Sequence, residues 1–114
     1  MHKQRLEQMV TMLRGLPPEG EVKFNLEVWN CGTSACAVGH ACVSPVFIKQ
    51  GLKWDGIMRD PVFGGACGWR AVERFFDVIP DDAERLFADW RYTTGGKTTP
   101  NQVADRIAEF IGAQ

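Results

Sequence analysis

The chain has 114 residues, 45% of them hydrophobic, and its formal net charge at pH 7 is −1. This length suits a single domain over residues 1–114, and the ordinary apolar fraction excludes an intrinsically disordered chain. General nucleic-acid binding is not expected, because 13 basic residues are interspersed with 14 acidic ones. The sequence contains neither a stretch of about 18 uncharged apolar residues nor an apolar signal segment, so we expect a cytoplasmic protein without a membrane partner.

The N-terminal part predicts one helix and one strand. Apolar residues at helical spacing predict a helix over about residues 2–14, ended by Gly15 and the prolines after it. Residues 22–28 alternate between apolar and polar side chains, which predicts a short strand with no evident partner.

The stretch CGTSACAVGHAC, Cys31–Cys42, predicts a second helix built from small residues. Thr33 is the expected N-cap, with Ser34 to Cys36 as the first helical residues. Gly39 would cost about 1 kcal/mol relative to Ala inside a helix, so we expect another segment to pack tightly against it.

Residues 51–68 contain five glycines and predict the main irregular segment of the chain. A short helix that starts at Ser44 and Pro45 and ends at Gly51 precedes it. Long glycine-rich loops often carry function, and a small β-hairpin is the ordered alternative for this segment.

The C-terminal half predicts three further helices. Two apolar stripes at helical spacing are separated by Pro80, which ends one helix and starts the next. Thr99, Pro100 and Gln102 form a capping box that starts the last helix. The stripes are Val72, Phe75, Phe76 and Ile79, then Ala83, Leu86, Phe87 and Trp90. The predicted fold is mainly α, a compact orthogonal bundle of five or six short helices around a glycine-rich central loop.

A zinc site is one hypothesis for the cysteines. Cys36 and His40 share a face of the predicted helix, Cys31 lies just before it, and Cys67 comes from the glycine-rich loop. These four residues would make a tetrahedral Cys3His set. Cys42 should face elsewhere, about 240° around the helix from Cys36. The spacing matches no standard zinc pattern, and free cysteines usually pack as small apolar residues, so packing without a metal is the alternative.

A reactive thiol is a second hypothesis. Cys31 and Cys36 lie near a predicted helix N-terminus, where the helix dipole lowers the pKa of a thiol. His40 is the candidate base, about 6 Å along the helix axis from Cys36, and no residue is indicated that would orient it. A disulfide between Cys31 and Cys36, or between either and Cys67, is a third reading that a reducing compartment disfavours.

Anion binding is a further hypothesis, because the CGTS turn could present backbone N–H groups to a phosphate. The segment GGKTTP fails the phosphate-loop pattern but leaves Lys97 on a cationic surface loop.

Trp54 is either an exposed interface anchor or a lid over the core, whereas Trp69 and Trp90 are expected in the core. The candidate ligand-binding residues are Cys31, Gly32, Thr33, Ser34, Trp54, Trp69 and Lys97.

The segment FNLEVWNCGTSACAVGHA, residues 24–41, resembles a pattern of small uncharacterised phage and bacterial proteins. That pattern reads F-[DN]-[ML]-x-x-W followed by C-G-T-x-x-C-x-x-G-[HW]-A, and GWRAVERFFDVIPDDAERLF and VADRIAEFI resemble its later parts more loosely. Trp often stands at the position of His40, which argues against a metal or catalytic role for this residue. The phage association implies a host-takeover or counter-defence role, exerted on a host protein or a nucleotide-like signal.

The favoured hypothesis is a non-enzymatic accessory protein, without a cofactor, that binds a host protein or a small anionic ligand in a bacterial or infected bacterial cell. A thiol-dependent enzyme using Cys31 or Cys36, with His40, is the first alternative. A small zinc-stabilised module is the second. The sequence does not indicate the oligomeric state.

Overall fold

Six α-helices carry most of the core in residues 1–17 and 23–113, the part of the chain that this computed structural model describes. The mainly α prediction is therefore confirmed. The helices are α1 (Lys3–Arg14), α2 (Ala37–Cys42), α3 (Pro45–Ile48), α4 (Trp69–Phe76), α5 (Pro80–Phe87) and α6 (Pro100–Gly112). Two 3-10 helices, Asp89–Arg91 and Gly95–Lys97, connect α5 to α6. No helix among these residues is long and apolar enough to cross a membrane.

Helix α1 forms where the sequence predicts it and packs against α6. His2 caps its start, since the Nδ1 atom accepts a hydrogen bond from the backbone N–H of Arg5 at 3.3 Å. Its core-facing side is the predicted apolar stripe, of which Leu6, Met9 and Leu13 are buried.

Helix α6 starts at the predicted capping box. The backbone N–H of Gln102 donates to Thr99 Oγ1 at 3.2 Å, and the backbone N–H of Thr99 donates to Gln102 Oε1 at 2.8 Å. Pro100 takes the first helical position, where its missing N–H costs nothing. Val103, Ala104 and Ile107 form its buried face.

Residues 51–68 contain a three-stranded antiparallel sheet, in agreement with the small β-hairpin that the sequence allows in this segment. The strands are β3 (Lys53–Asp55), β4 (Asp60–Phe63) and β5 (Ala66–Cys67). Gly64 and Gly65 both have positive φ, 57° and 79°, which suits the two-residue turn between β4 and β5. The glycines therefore build tight turns. Helix α3 starts at Pro45 as predicted, and Gly51, with φ of 98°, leads the chain into β3.

The segment before α2 is extended. Strand β1 (Lys23–Phe24) pairs in parallel with β2 (Ser34–Ala35), and α2 starts only at Ala37, with Cys36 as the N-cap. The predicted N-cap Thr33 is therefore wrong, because the backbone after it pairs with β1. The predicted strand over residues 22–28 is reduced to two residues, and Val22 lies outside the described residues.

Two residues of the predicted apolar stripes are exposed. Helix α4 ends at Asp77 in the left-handed conformation, before Pro80, and Ile79 beyond it is 62% exposed. Helix α5 starts at Pro80 as predicted, but Ala88 is extended, so Trp90 lies in a 3-10 turn and is 61% exposed. The prediction that Trp90 is a core residue is therefore wrong.

Candidate binding site

Three tryptophans from distant parts of the chain form one cluster that reaches the surface. The ring centroids of Trp29 and Trp69 lie 5.1 Å apart, and those of Trp69 and Trp90 lie 5.9 Å apart in an edge-on arrangement. Trp29 and Trp69 are partly buried, whereas Trp90 is largely exposed. We call Trp29, Trp69 and Trp90 the tryptophan cluster.

Contacts with Gly39 and Cys36 fix the backbone of Trp29. Its carbonyl carbon and oxygen lie against Gly39 of α2, where any side chain would overlap them. The backbone N–H of Cys36 donates to the carbonyls of Val28, at 2.9 Å, and Trp29, at 3.2 Å. The tight packing predicted at Gly39 is confirmed, and the segment that it holds carries Trp29.

The two other tryptophans are held by separate elements. Trp69 is the first residue of α4, which follows β5 through Gly68 with φ of 61°. Trp90 precedes Arg91, whose guanidinium forms ion pairs with Asp81 at 3.0 Å and Glu84 at 3.6 Å. The cluster is thus assembled from three anchored segments, so its shape exists before a partner binds.

Next to Trp29, the chain makes a tight turn at residues 31–34. The backbone N–H of Cys31 donates to the carbonyl of Ser34 at 2.9 Å, and Gly32 has φ of 93°. Cys31 is exposed, and its Sγ lies 3.5 Å from Thr33 Oγ1. Hydrogen bonds from the Thr33 side chain, and then from the backbone of Thr33 and Ser34, lower the pKa of the Cys31 thiol to about 7. This turn therefore stabilises negative charge at the protein surface.

The candidate thiol Cys36 lies in different surroundings. Cys36 is buried, and burial raises the pKa of its thiol to about 11. Its Sγ accepts a hydrogen bond from the backbone N–H of Gly39 at 3.4 Å, so it serves as the N-cap of α2. Burial likewise raises the pKa of Cys42 to about 12, with a smaller contribution from Cys36. Because Cys36 precedes the helix, the predicted separation of these two thiols around a helix does not apply.

His40 packs as a buried aromatic residue. It is 9% exposed, and its ring stacks on Phe24 with centroids 5.9 Å apart and an interplanar angle of 17°. The Nε2 atom is buried without a hydrogen-bond partner. Burial lowers the pKa of His40, and a hydrogen bond with the backbone of Lys23 offsets this in part.

The alternative zinc set of Cys31, Cys36, His40 and Cys67 is not assembled. Within residues 1–17 and 23–113, no group of three or more His, Cys, Asp or Glu side chains is placed to hold a metal ion. Cys31 and Cys67 are exposed, whereas Cys36 and His40 are buried.

The remaining candidate residues are divided between core and surface. Trp54 lies in β3 opposite Pro61 and packs partly buried against the core, as expected of a lid. Lys97 is exposed at the end of a 3-10 helix, and the preceding Gly96 packs closely against the side chain of Glu27. Gly32, Thr33 and Ser34 lead into β2, so these residues do not lie at a helix N-terminus as the sequence predicts.

A cavity of about 500 Å³ lies elsewhere, between α1 and α3. Its lining includes Gln8, Thr11 and the apolar Met12, Val46 and Phe47. Among its polar residues, Gln8 accepts a hydrogen bond from Gln50 and Thr11 donates to the backbone, and Gln4, Glu7 and Ser44 also line it.

Sequence reasoning included Trp69 in the site but missed Trp29 and Trp90. Three tryptophans separated by 40 and 21 residues carry no local signal that they meet. Trp90 continues the apolar spacing of Ala83, Leu86 and Phe87, so the sequence predicts it in the core and gives no signal of its exposure.

No protein-family model, curated protein or solved structure matches this chain. The resemblance to small phage and bacterial proteins stays a prediction. The tryptophan cluster and the turn at residues 31–34 are the surface features that bear on function.

Proposed function

We propose that this chain is a small non-enzymatic binding protein that recognises a bacterial host protein through the tryptophan cluster. The observation that carries the proposal is the exposure of Trp90, 61%, on an aromatic surface that the backbone holds in place. Tryptophan is enriched among the few residues that dominate binding energy at protein interfaces, because it buries a large rigid surface at a small cost in side-chain entropy. A preformed cluster further lowers the entropic cost of association.

The chemistry of the cysteines supports binding over turnover. A thiol enzyme needs a thiolate and a nearby base. Cys36 is buried with a raised pKa, and His40 stacks on Phe24 in the interior with a lowered pKa. Cys31 has the lowered pKa, but its charge is stabilised by Thr33 and Ser34 and not by an imidazole.

A small anionic ligand is the second candidate. The backbone and side-chain groups that lower the pKa of Cys31 would also favour an anion at the turn of residues 31–34. The exposed Lys97 is a candidate cation for the same ligand. A thermal-shift panel of nucleotides tests this candidate, with Thr33→Val expected to abolish any shift.

The role in host takeover or counter-defence is proposed from the resemblance to phage and bacterial proteins. It suits a cytoplasmic protein that acts by occupying a host target. Such a protein needs a rigid contact surface and no turnover, as proposed for the tryptophan cluster.

Capture from bacterial host extract tests the proposal. Immobilised wild-type protein should retain a defined host protein, Trp90→Ala should lose it, and Ile79→Ala should retain it. Ile79 is a matched control, because its exposed fraction of 62% equals that of Trp90 within a percentage point. Equal capture by Trp90→Ala, or no defined protein captured by the wild type, would overturn the proposal.

A further inference from the structure

His40 connects α2 to the extended segment that carries Trp29. Its ring stacks nearly parallel on Phe24 of β1, and it is 9% exposed. The adjacent Gly39 lies against the carbonyl of Trp29. His40 and its neighbour Gly39 thus contact the two ends of the stretch from β1 to Trp29.

The surroundings of the ring suit neutral imidazole only. Neutral histidine has one N–H donor and one acceptor nitrogen, whereas the protonated form has two donors and a charge. One hydrogen bond joins the ring to the backbone of Lys23, and Nε2 is buried with no partner. Protonation would place a charged donor at this dry position with nothing to accept it, which is unfavourable.

The charged groups around α2 do not stabilise the protonated form of His40. Lys23 contacts the ring through its backbone, and its side chain is exposed. On α2 and its cap, Cys42 and Cys36 are neutral at physiological pH, because burial raises the pKa of both thiols. Charged residues on the other elements packed against α2 are exposed or act on other residues: Arg5 of α1, Lys49 after α3, Lys53 of β3 and Asp60 of β4.

We propose that His40 is an acid-sensitive latch, whose protonation releases residues 23–36 from α2 and withdraws Trp29 from the tryptophan cluster. This regulation rests on the proposed function of that cluster. Within this segment β1 and β2 pair over two residues each, and Leu26 and Cys36 of the segment pack in the core. Two-stranded pairings of this length are marginal without side-chain packing.

The linkage between protonation of His40 and opening of the segment determines the direction of the pH dependence. The open state titrates near the ordinary histidine value of 6.5, and the closed state titrates lower because the ring is buried. The closed state is therefore fully favoured above about pH 6.5 and loses its advantage as the pH falls toward the lower pKa. Between pH 6.5 and the lower pKa, the equilibrium constant for opening increases by up to about tenfold for each unit by which the pH falls.

Amide hydrogen exchange of the intact protein between pH 7.5 and 5.0 measures this opening. The amides to follow are those of Asn25 and Cys36, which donate to Ala35 and to Val28 and Trp29. After correction for the intrinsic exchange rate, their protection factors should fall by up to about tenfold per pH unit below pH 6.5. His40→Phe, which cannot titrate, should suppress the fall, and His2→Gln should retain it.

Unchanged wild-type protection factors, or an equal fall in His40→Phe, would overturn the latch. If His40→Phe does not fold, the wild-type imidazole resonances decide the question. The fall in protection must then begin near pH 6.5 and level off where the His40 imidazole resonances titrate, and a fall that levels off at another pH overturns the latch. Partner capture at pH 7.5 depends on the cluster alone, so failure of the latch and failure of the proposed function give different results.

Discussion

Gly39 of α2 lies directly beneath the backbone carbonyl of Trp29, with no space for a side chain between them. This contact allows a helix rich in small residues to approach an extended segment closely. It fixes the backbone of the one tryptophan that precedes the turn at residues 31–34. The core helix and the surface cluster are therefore in direct contact at Gly39.

Replacing Gly39 with Ala should destabilise the protein despite the better helix propensity of alanine. The propensity gain is about 1 kcal/mol, whereas an added methyl that collides with rigid backbone costs about 1–3 kcal/mol or more. Urea unfolding of Gly39→Ala should therefore show a lower midpoint than the wild type. Gly56→Ala is the control, since an added methyl there meets nothing within 4 Å. Equal midpoints for Gly39→Ala and the wild type would contradict the close packing.

The four cysteines should differ sharply in reactivity toward iodoacetamide. Cys31 should react with an apparent pKa of about 7, because Thr33 and Ser34 stabilise its thiolate. Cys36 and Cys42 should stay unmodified in the folded protein, since they are buried. Mass spectrometry of each site between pH 6 and 9 gives the rates.

The variant Thr33→Val isolates the cause of the Cys31 reactivity. Loss of the hydroxyl should move the rate midpoint of Cys31 to higher pH, while the exposed Cys67 serves as an internal control. A wild-type Cys31 midpoint at the ordinary thiol value of 9.0 would refute the stabilising turn.

Arg5 should be the most sensitive charged residue of α1. Its guanidinium lies 4.3 Å from the ring centroid of Phe75 and donates to the Phe75 carbonyl and to Gln50 Oε1, both at 2.9 Å. Lysine cannot reproduce this planar stacking with two directed hydrogen bonds. Arg5→Lys should lower the free energy of unfolding by about 1–2 kcal/mol. Lys3→Ala, at an exposed site on the same helix, should change it little, and equal effects would contradict this assignment.

The capping box of α6 gives a prediction about stability. Thr99→Ala removes the hydroxyl that accepts from the Gln102 backbone and should cost about 1 kcal/mol. Thermal unfolding measures the loss, with Thr93→Ala at an exposed loop position as the matched control. A melting temperature equal to that of the control would show that the cap contributes nothing.

Local signals explain which helices the sequence predicts well. The apolar spacing of α1, the proline at the start of α5 and the capping box of α6 each act within a few residues. Thr33, like Thr99, has a side chain that is typical of an N-cap, but the residues after Thr33 pair with β1. That pairing joins residues eleven positions apart, and sequence periodicity does not report it.

The tryptophan cluster lies beyond sequence reasoning for a related reason. The position of Trp90 depends on the extended backbone of Ala88, which ends the helical stripe one residue before the 3-10 turn. The position of Trp29 depends on its contact with Gly39. Only the fold brings both of these residues into contact with Trp69.

The affinity of the captured host protein for purified wild-type and variant chains tests the central claim most directly. Isothermal titration at pH 7.5 should show that Trp90→Ala weakens binding by about 30-fold or more, as expected for an interface residue worth at least 2 kcal/mol. Ile79→Ala should bind within about twofold of the wild type, as a surface residue outside the interface does. Wild-type affinity in Trp90→Ala would contradict the claim that the tryptophan cluster is the binding surface.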